Sequence, residues 1–151
     1  MRIVVLVLVS VLAGCSVSPN RSATGQLVAT ADTMEIIRSA AESAPKPVPG
    51  EFLLTIKTTG KQGPAVYLNT ELDYRDQRNV TVALHPQLIA QFSAQSGMSA
   101  EAFFIGKTVR VKGAAQRVRI DFMTAARKPS GKYYYQTHIP ISELAQIEVV
   151  N

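Results

Sequence analysis

Cysteine occurs once in this chain, at position 15. No intramolecular disulfide can form, so whatever folds must be held by burial of its own core. The position of the cysteine constrains the chain as much as its number. Arg2 supplies a positive start, Ile3 to Leu12 form a short apolar run, and Ala13-Gly14 place two small residues directly before Cys15. Charge, apolar run and small residues in that order make a secretory signal, and the run is too short to span a bilayer as a helix.

The ending Leu12-Ala13-Gly14-Cys15 resembles the lipobox of bacterial lipoproteins. That resemblance implies a signal peptide of residues 1–14, cleavage just before Cys15 and lipidation of its thiol. Several acyl chains, each methylene worth about 0.8 kcal/mol when buried, hold a protein on a membrane effectively for good. In such lipoproteins an aspartate after the cysteine favours inner-membrane retention. Ser16 stands there instead, which implies the outer membrane and a periplasm-facing domain. The covalent lipid is the only prosthetic group expected; no cofactor or metal is implied.

From Cys15 onward the formal charge is +4, because only Arg2 is lost from a chain of net charge +5. Residues 16–25 are small, polar and turn-rich, the composition of a flexible tether. Asp32 and Glu35 have capping-box spacing, and Met34, Ile37 and Ala41 share a face beside Ile36 and Ala40. The spacing predicts a short helix over 33–43, too short to be stable unaided. Pro45, Pro47 and Pro49 then exclude a helix and set the expected boundary between a tether at 15–49 and a domain at 50–151.

Beyond Gly50 the period changes to two. Phe52, Leu54 and Ile56 alternate with polar residues to give a first strand, residues 60–64 read as a turn, and 65–69 and 80–84 read as the next two strands. Residues 86–105 turn helical, with Gly97 as a break, Ser99 as a cap and Gly106 as a terminator. Val109 and Val111 open a fourth strand, which Val118, Ile120 and Phe122 continue or partner. Tyr133 to Ile141 and Ile147 to Val150 close the series. Three strands, a helix, then two or three strands is the element order of an OB-fold. The fold class expected is mainly β: a small five- to six-stranded antiparallel OB-like barrel with one helix between strands three and four.

The runs Ala65-Val66-Tyr67-Leu68-Asn69, Asp73-Tyr74-Arg75-Asp76, Gly106-Lys107-Thr108-Val109-Arg110-Val111-Lys112-Gly113 and Ala145-Gln146-Ile147-Glu148-Val149-Val150 resemble those of small bacterial OB-fold-like domains, over roughly residues 51–150. The shared features are barrel strands and turn glycines. They imply a binding fold whose ligands are nucleic acids, oligosaccharides or proteins, and they carry no catalytic group.

Between Ile105 and Lys132 eight basic residues face one acid, Asp121. If the valines and isoleucines of the strand point inward, Arg110, Lys112, Arg117 and Arg119 share the outer face, where they could meet an anionic ligand. Tyr134 has the opposite parity to Ile139 and Ile141 and is the best stacking candidate. The acids of residues 71–76 have Arg75 and Arg78 beside them and read as a loop held by local ion pairs. His85 and His138 have no acidic neighbour in sequence, and no nucleophile or phosphate-cradling motif appears, so the chain does not read as an enzyme. The expectation is a lipid-anchored binding or adaptor protein that contacts an envelope protein partner. The alternative is a binder of single-stranded nucleic acid or another polyanion.

Overall fold

The computed structural model describes residues 27–28 and 32–150. The signal peptide expected over residues 1–14, Cys15 and the first part of the expected tether lie outside the described residues. In chain order the elements are β1 (Leu27–Val28), α1 (Thr33–Ser43), β2 (Val48–Thr55), β3 (Thr58–Gln62), β4 (Ala65–Asn69), β5 (Val80–Leu84), α2 (Pro86–Ser96), α3 (Ala100–Phe104), β6 (Thr108–Met123), β7 (Pro129–Ile141) and β8 (Ile147–Val150). A turn of 3-10 helix, Leu144–Gln146, leads into β8.

The fold is mainly β. The strands lie in the order β1-β2-β6-β7-β5-β4-β3, and β8 pairs with β6. The antiparallel barrel of five to six strands expected above is corrected on two counts. Eight strands are present among the described residues, and the sheet is mixed, since β5 runs parallel to β7 and β1 parallel to β2. The hydrogen-bonded path also ends at β1 and β3 without returning on itself. β2 and β3 are consecutive in the chain all the same. Ile56 donates to the carbonyl of Lys107 at 2.9 Å, while its neighbour Lys57 donates to the carbonyl of Asn69 at 2.8 Å, so the chain passes from β6 to β4 within two residues.

The period-two residues fill the core as their spacing requires. Phe52, Leu54, Ile56, Val66, Leu68, Val80, Val82, Leu84, Val109, Val111, Ile139 and Ile141 are all buried. Gly113 completes this inward row: a Cβ there would stand 2.7 Å from Cγ2 of Ile139. β3 takes Gly60 to Gln62 from the turn expected over 60–64, and the reversal is confined to Gly63-Pro64, where the Gly63 φ of 59° suits glycine.

The helix predicted over 33–43 forms, capped by the Asp32 carboxylate, which accepts from the Met34 N–H at 3.1 Å. It does not hang in a tether. Ile36 and Ala40 are buried in the core cluster, and α1 rests on β2, β5, β6 and β7. Ala44, held extended before Pro45, ends the helix. β2 then begins at Val48, ahead of the boundary expected at Gly50. One helix was expected between the third and fourth long strands; two stand there. His85 and Ser99 cap α2 and α3, and Gly97 between them adopts φ 69°. Phe92, Phe103 and Phe104 join them, with ring centroids 4.9 to 5.3 Å apart.

Candidate functional site: an aromatic groove and a basic ribbon

β6 is long enough to serve two roles. Up to Ala115 it pairs with β2, and Thr108 to Val111 also pair with β8. From Gln116 onward its partner is β7. β7 is paired with β5 only from Thr137 onward. Val118 to Met123 and Pro129 to Gln136 therefore make a two-stranded ribbon that extends past the body of the sheet.

The expected basic stripe is divided by this arrangement. No bulge interrupts β6 before Asp121, so parity is kept along it. Val109, Val111, Gly113 and Ala115 face the core, and Arg117 and Arg119 continue their side of the strand. Arg110 and Lys112 stand on the other side. The four do not share one face. Arg110 lies 3.0 Å from Glu51 and 3.0 Å from Glu148, and Lys112 lies 3.8 Å from Glu51, so carboxylates of β2 and β8 already answer this pair. Arg119 bonds Asp121 at 2.7 Å and lies over the Tyr133 ring at 4.2 Å. Arg117 has no carboxylate partner among the described residues; it stacks on Tyr135 at 3.6 Å.

Tyr134 is on the opposite side of the ribbon, at one end of a groove of about 640 Å³. Tyr67 of β4, Thr81 of β5, Val118 and Ile120 of β6, and Gln136 and His138 of β7 line its floor. Thr58 to Gln62 of β3 form one wall, with Leu72 and Tyr74 from the β4–β5 loop. A chain of hydrogen bonds orders the polar floor. His138 Nε2 lies 2.8 Å from Gln136 Oε1, and Gln136 Nε2 donates to the Tyr134 hydroxyl and to the Tyr74 carbonyl, each at 3.0 Å. The His138 and Tyr67 rings are 6.0 Å apart, and Tyr134 packs on Phe122 at 5.2 Å. Burial disfavours the charged imidazole and lowers the pKa of His138, and burial likewise raises that of the Tyr134 hydroxyl.

The β4–β5 loop that supplies Leu72 and Tyr74 is fixed from beneath. Asn79, buried, donates to Asn69 Oδ1 at 3.2 Å, to Thr81 Oγ1 at 3.0 Å and to the Tyr74 carbonyl at 3.3 Å. Of the two arginines expected to pair with the loop acids, Arg78 does and Arg75 does not. Arg78 bonds both carboxylate oxygens of Asp76, which holds its pKa at about 2, and Lys57 reaches Glu71 at 2.7 Å. Arg75 lies over the Tyr74 ring at 4.9 Å.

His85 is spent as a cap, its Nδ1 accepting from the Gln87 N–H at 3.3 Å, and neither histidine bonds a carboxylate. No group of three metal-ligating side chains occurs among the described residues. Nor is any of their helices long and apolar enough to cross a membrane. What the groove offers is recognition chemistry: ring faces from Tyr67, Tyr74 and Tyr134, amide and imidazole groups, and the ammonium of Lys61. The sequence reading puts Gln136 and His138 on the Tyr134 side of the strand and expects Tyr67 and Tyr74 near it, and the groove gathers all five. Their alternation was visible, but the parallel β5–β7 pair that gathers them was not.

No protein-family model matches the chain, and no curated protein matches it. Among solved structures, it is similar to a protein provisionally named an aspartyl-tRNA synthetase, from Leishmania major Friedlin. Identity is 14%, the TM-score is 0.42, and the match covers 94% of this chain but 23% of the other.

Proposed function

We propose that the protein is a lipid-anchored recognition module of the cell envelope, facing the periplasm from the outer membrane, and that its body is an OB-like variant. Three features support the OB-like reading: β2 runs on into β3 across a two-residue bend, β5 and β7 are parallel, and the helices fall between β5 and β6. In that fold the outer face of the second and third strands is the binding surface. Here it carries Tyr67 and Thr81, the floor of the groove.

The groove is the single observation that carries the proposal. Rings and hydrogen-bonding groups converge there without a paired acid and base, which suits binding better than bond-breaking. Lipid on Cys15 would confine the module near the bilayer and raise its effective concentration for an envelope partner. A photo-crosslinking residue placed at Tyr67 in intact cells should capture a discrete protein adduct, while one at the exposed Gln95 of α2 should not. Equal or absent capture from both positions would remove the adaptor reading.

A polyanion ligand is the second reading, favoured by Arg75 and Arg117, each stacked on a tyrosine and so shaped for ring-plus-phosphate contact. Binding of a labelled single-stranded oligonucleotide that weakens steeply with salt, and is lost in Arg75→Ala/Arg117→Ala, would promote it. Absence of binding at low salt would leave these guanidinium–ring pairs as surface structure.

A further inference from the structure

We infer that the tip of the β6–β7 ribbon is a second membrane contact, one that inserts shallowly into an anionic phospholipid surface. The inference rests on the ribbon alone and does not need a lipid on Cys15. The turn is closed by the Thr124 N–H donating to the carbonyl of Lys128 at 2.8 Å and the Arg127 N–H donating to that of Thr124 at 2.9 Å. Within and beside it stand Arg127, Lys128 and Lys132, none with a carboxylate partner among the described residues, and no acid occurs from Phe122 to Lys132. Arg127 is the one non-glycine among the described residues at positive φ, 56°. Glycine would meet that geometry at lower cost, so the turn carries a cation where its backbone favours none.

Behind the cations is an apolar collar. Phe122 is 45% exposed, Met123 57% and Tyr133 49%. Apolar and aromatic side chains next to cations, on a protruding tip, are what the headgroup boundary of an anionic bilayer accommodates: rings at the interface and cations among the phosphates. A groove would suit an extended nucleic-acid strand better, and every residue of the tip from Phe122 to Tyr133 is exposed.

The test uses the full chain carrying Cys15→Ser and Ala126→Cys, so that the only thiol, on the exposed turn, takes an environment-sensitive fluorophore. The N-terminal apolar run can hold every variant on vesicles, but the fluorophore reads the tip alone. Vesicles of phosphatidylcholine with roughly a quarter phosphatidylglycerol should shift its emission to the blue, and phosphatidylcholine vesicles should not. Each cation near such a surface is worth about fivefold in partitioning, so Arg127→Ser/Lys128→Ser/Lys132→Ser should weaken tip contact by roughly a hundredfold. No shift on anionic vesicles, or an equal shift on neutral ones, overturns the inference. So does a change of emission produced by a single-stranded oligonucleotide and not by vesicles, which would assign the tip to nucleic acid.

Discussion

Gly113 decides how β6 is read. Its missing side chain leaves room for Ile139 Cγ2, and its place in the inward row means Arg117 and Arg119 cannot share a face with Arg110 and Lys112. The row of Val109, Val111 and Gly113 was legible, but the sequence conceals that it runs on to Arg117 and Arg119, because the apolar Val118, Ile120 and Phe122 fall on the other side. Gly113→Ala should overpack that contact and cost about 1–3 kcal/mol in denaturant unfolding, with Gly60→Ala, which meets open space, as the mild comparison. His138 gives a pH signature. Its pKa is lower in the folded protein than the ordinary 6.5, so below that value the unfolded chain binds the extra proton first. Stability should therefore fall as pH drops below about 6.5 and level off once the folded protein also takes up the proton. His138→Asn should flatten this part of the stability curve. An unchanged slope in the variant would assign it to other groups.

At the level of elements, α1 shows both what periodicity conveys and where it stops. Its span and its Asp32 cap were legible because capping spacing and an apolar stripe are local properties. Its seat on four strands was not, because no local pattern distinguishes a helix with a partner from one without. Ile36→Ala should cost about 2–4 kcal/mol, the usual range for emptying a buried aliphatic site. Asp32→Ala should cost about 1 kcal/mol through loss of the cap. If α1 were a loose appendage, both changes would leave global unfolding unmoved while local helicity alone declined. The β4–β5 loop depends in the same way on one side chain. Asn79→Ala withdraws donors from Asn69, Thr81 and Tyr74 at once, and should cost about 1–3 kcal/mol. Faster amide exchange through residues 70–79 should accompany it.

For the molecule as a whole, alternation identified the inward residues of most strands before any pairing was known, and that suffices for a mainly-β body. Neighbour relations are another matter. A parallel pair such as β5 with β7 joins segments separated by two helices and the whole of β6, and hydropathy holds no record of it. The groove is born of that pair: the face shared by Tyr134, Gln136 and His138 was legible from alternation, with Tyr67 and Tyr74 expected near it, but the strand pairing that joins them was not. A chain stopped after Met123, which lacks β7, should show no cooperative unfolding transition by circular dichroism. One stopped after Leu144 keeps every buried core residue and should still show a weakened transition.

The same parallel pair sets an order of events during synthesis. β5 emerges early with Val80, Val82 and Leu84 ready for burial, yet one of its two neighbours is the last long strand to be made. Until β7 arrives, a hydrophobic strand stands with an open edge, the kind of surface on which unfinished chains aggregate. Closing so long a loop also slows folding compared with local pairings. Val80–Leu84 is thus the segment most open to mispairing until Thr137–Ile141 has been made.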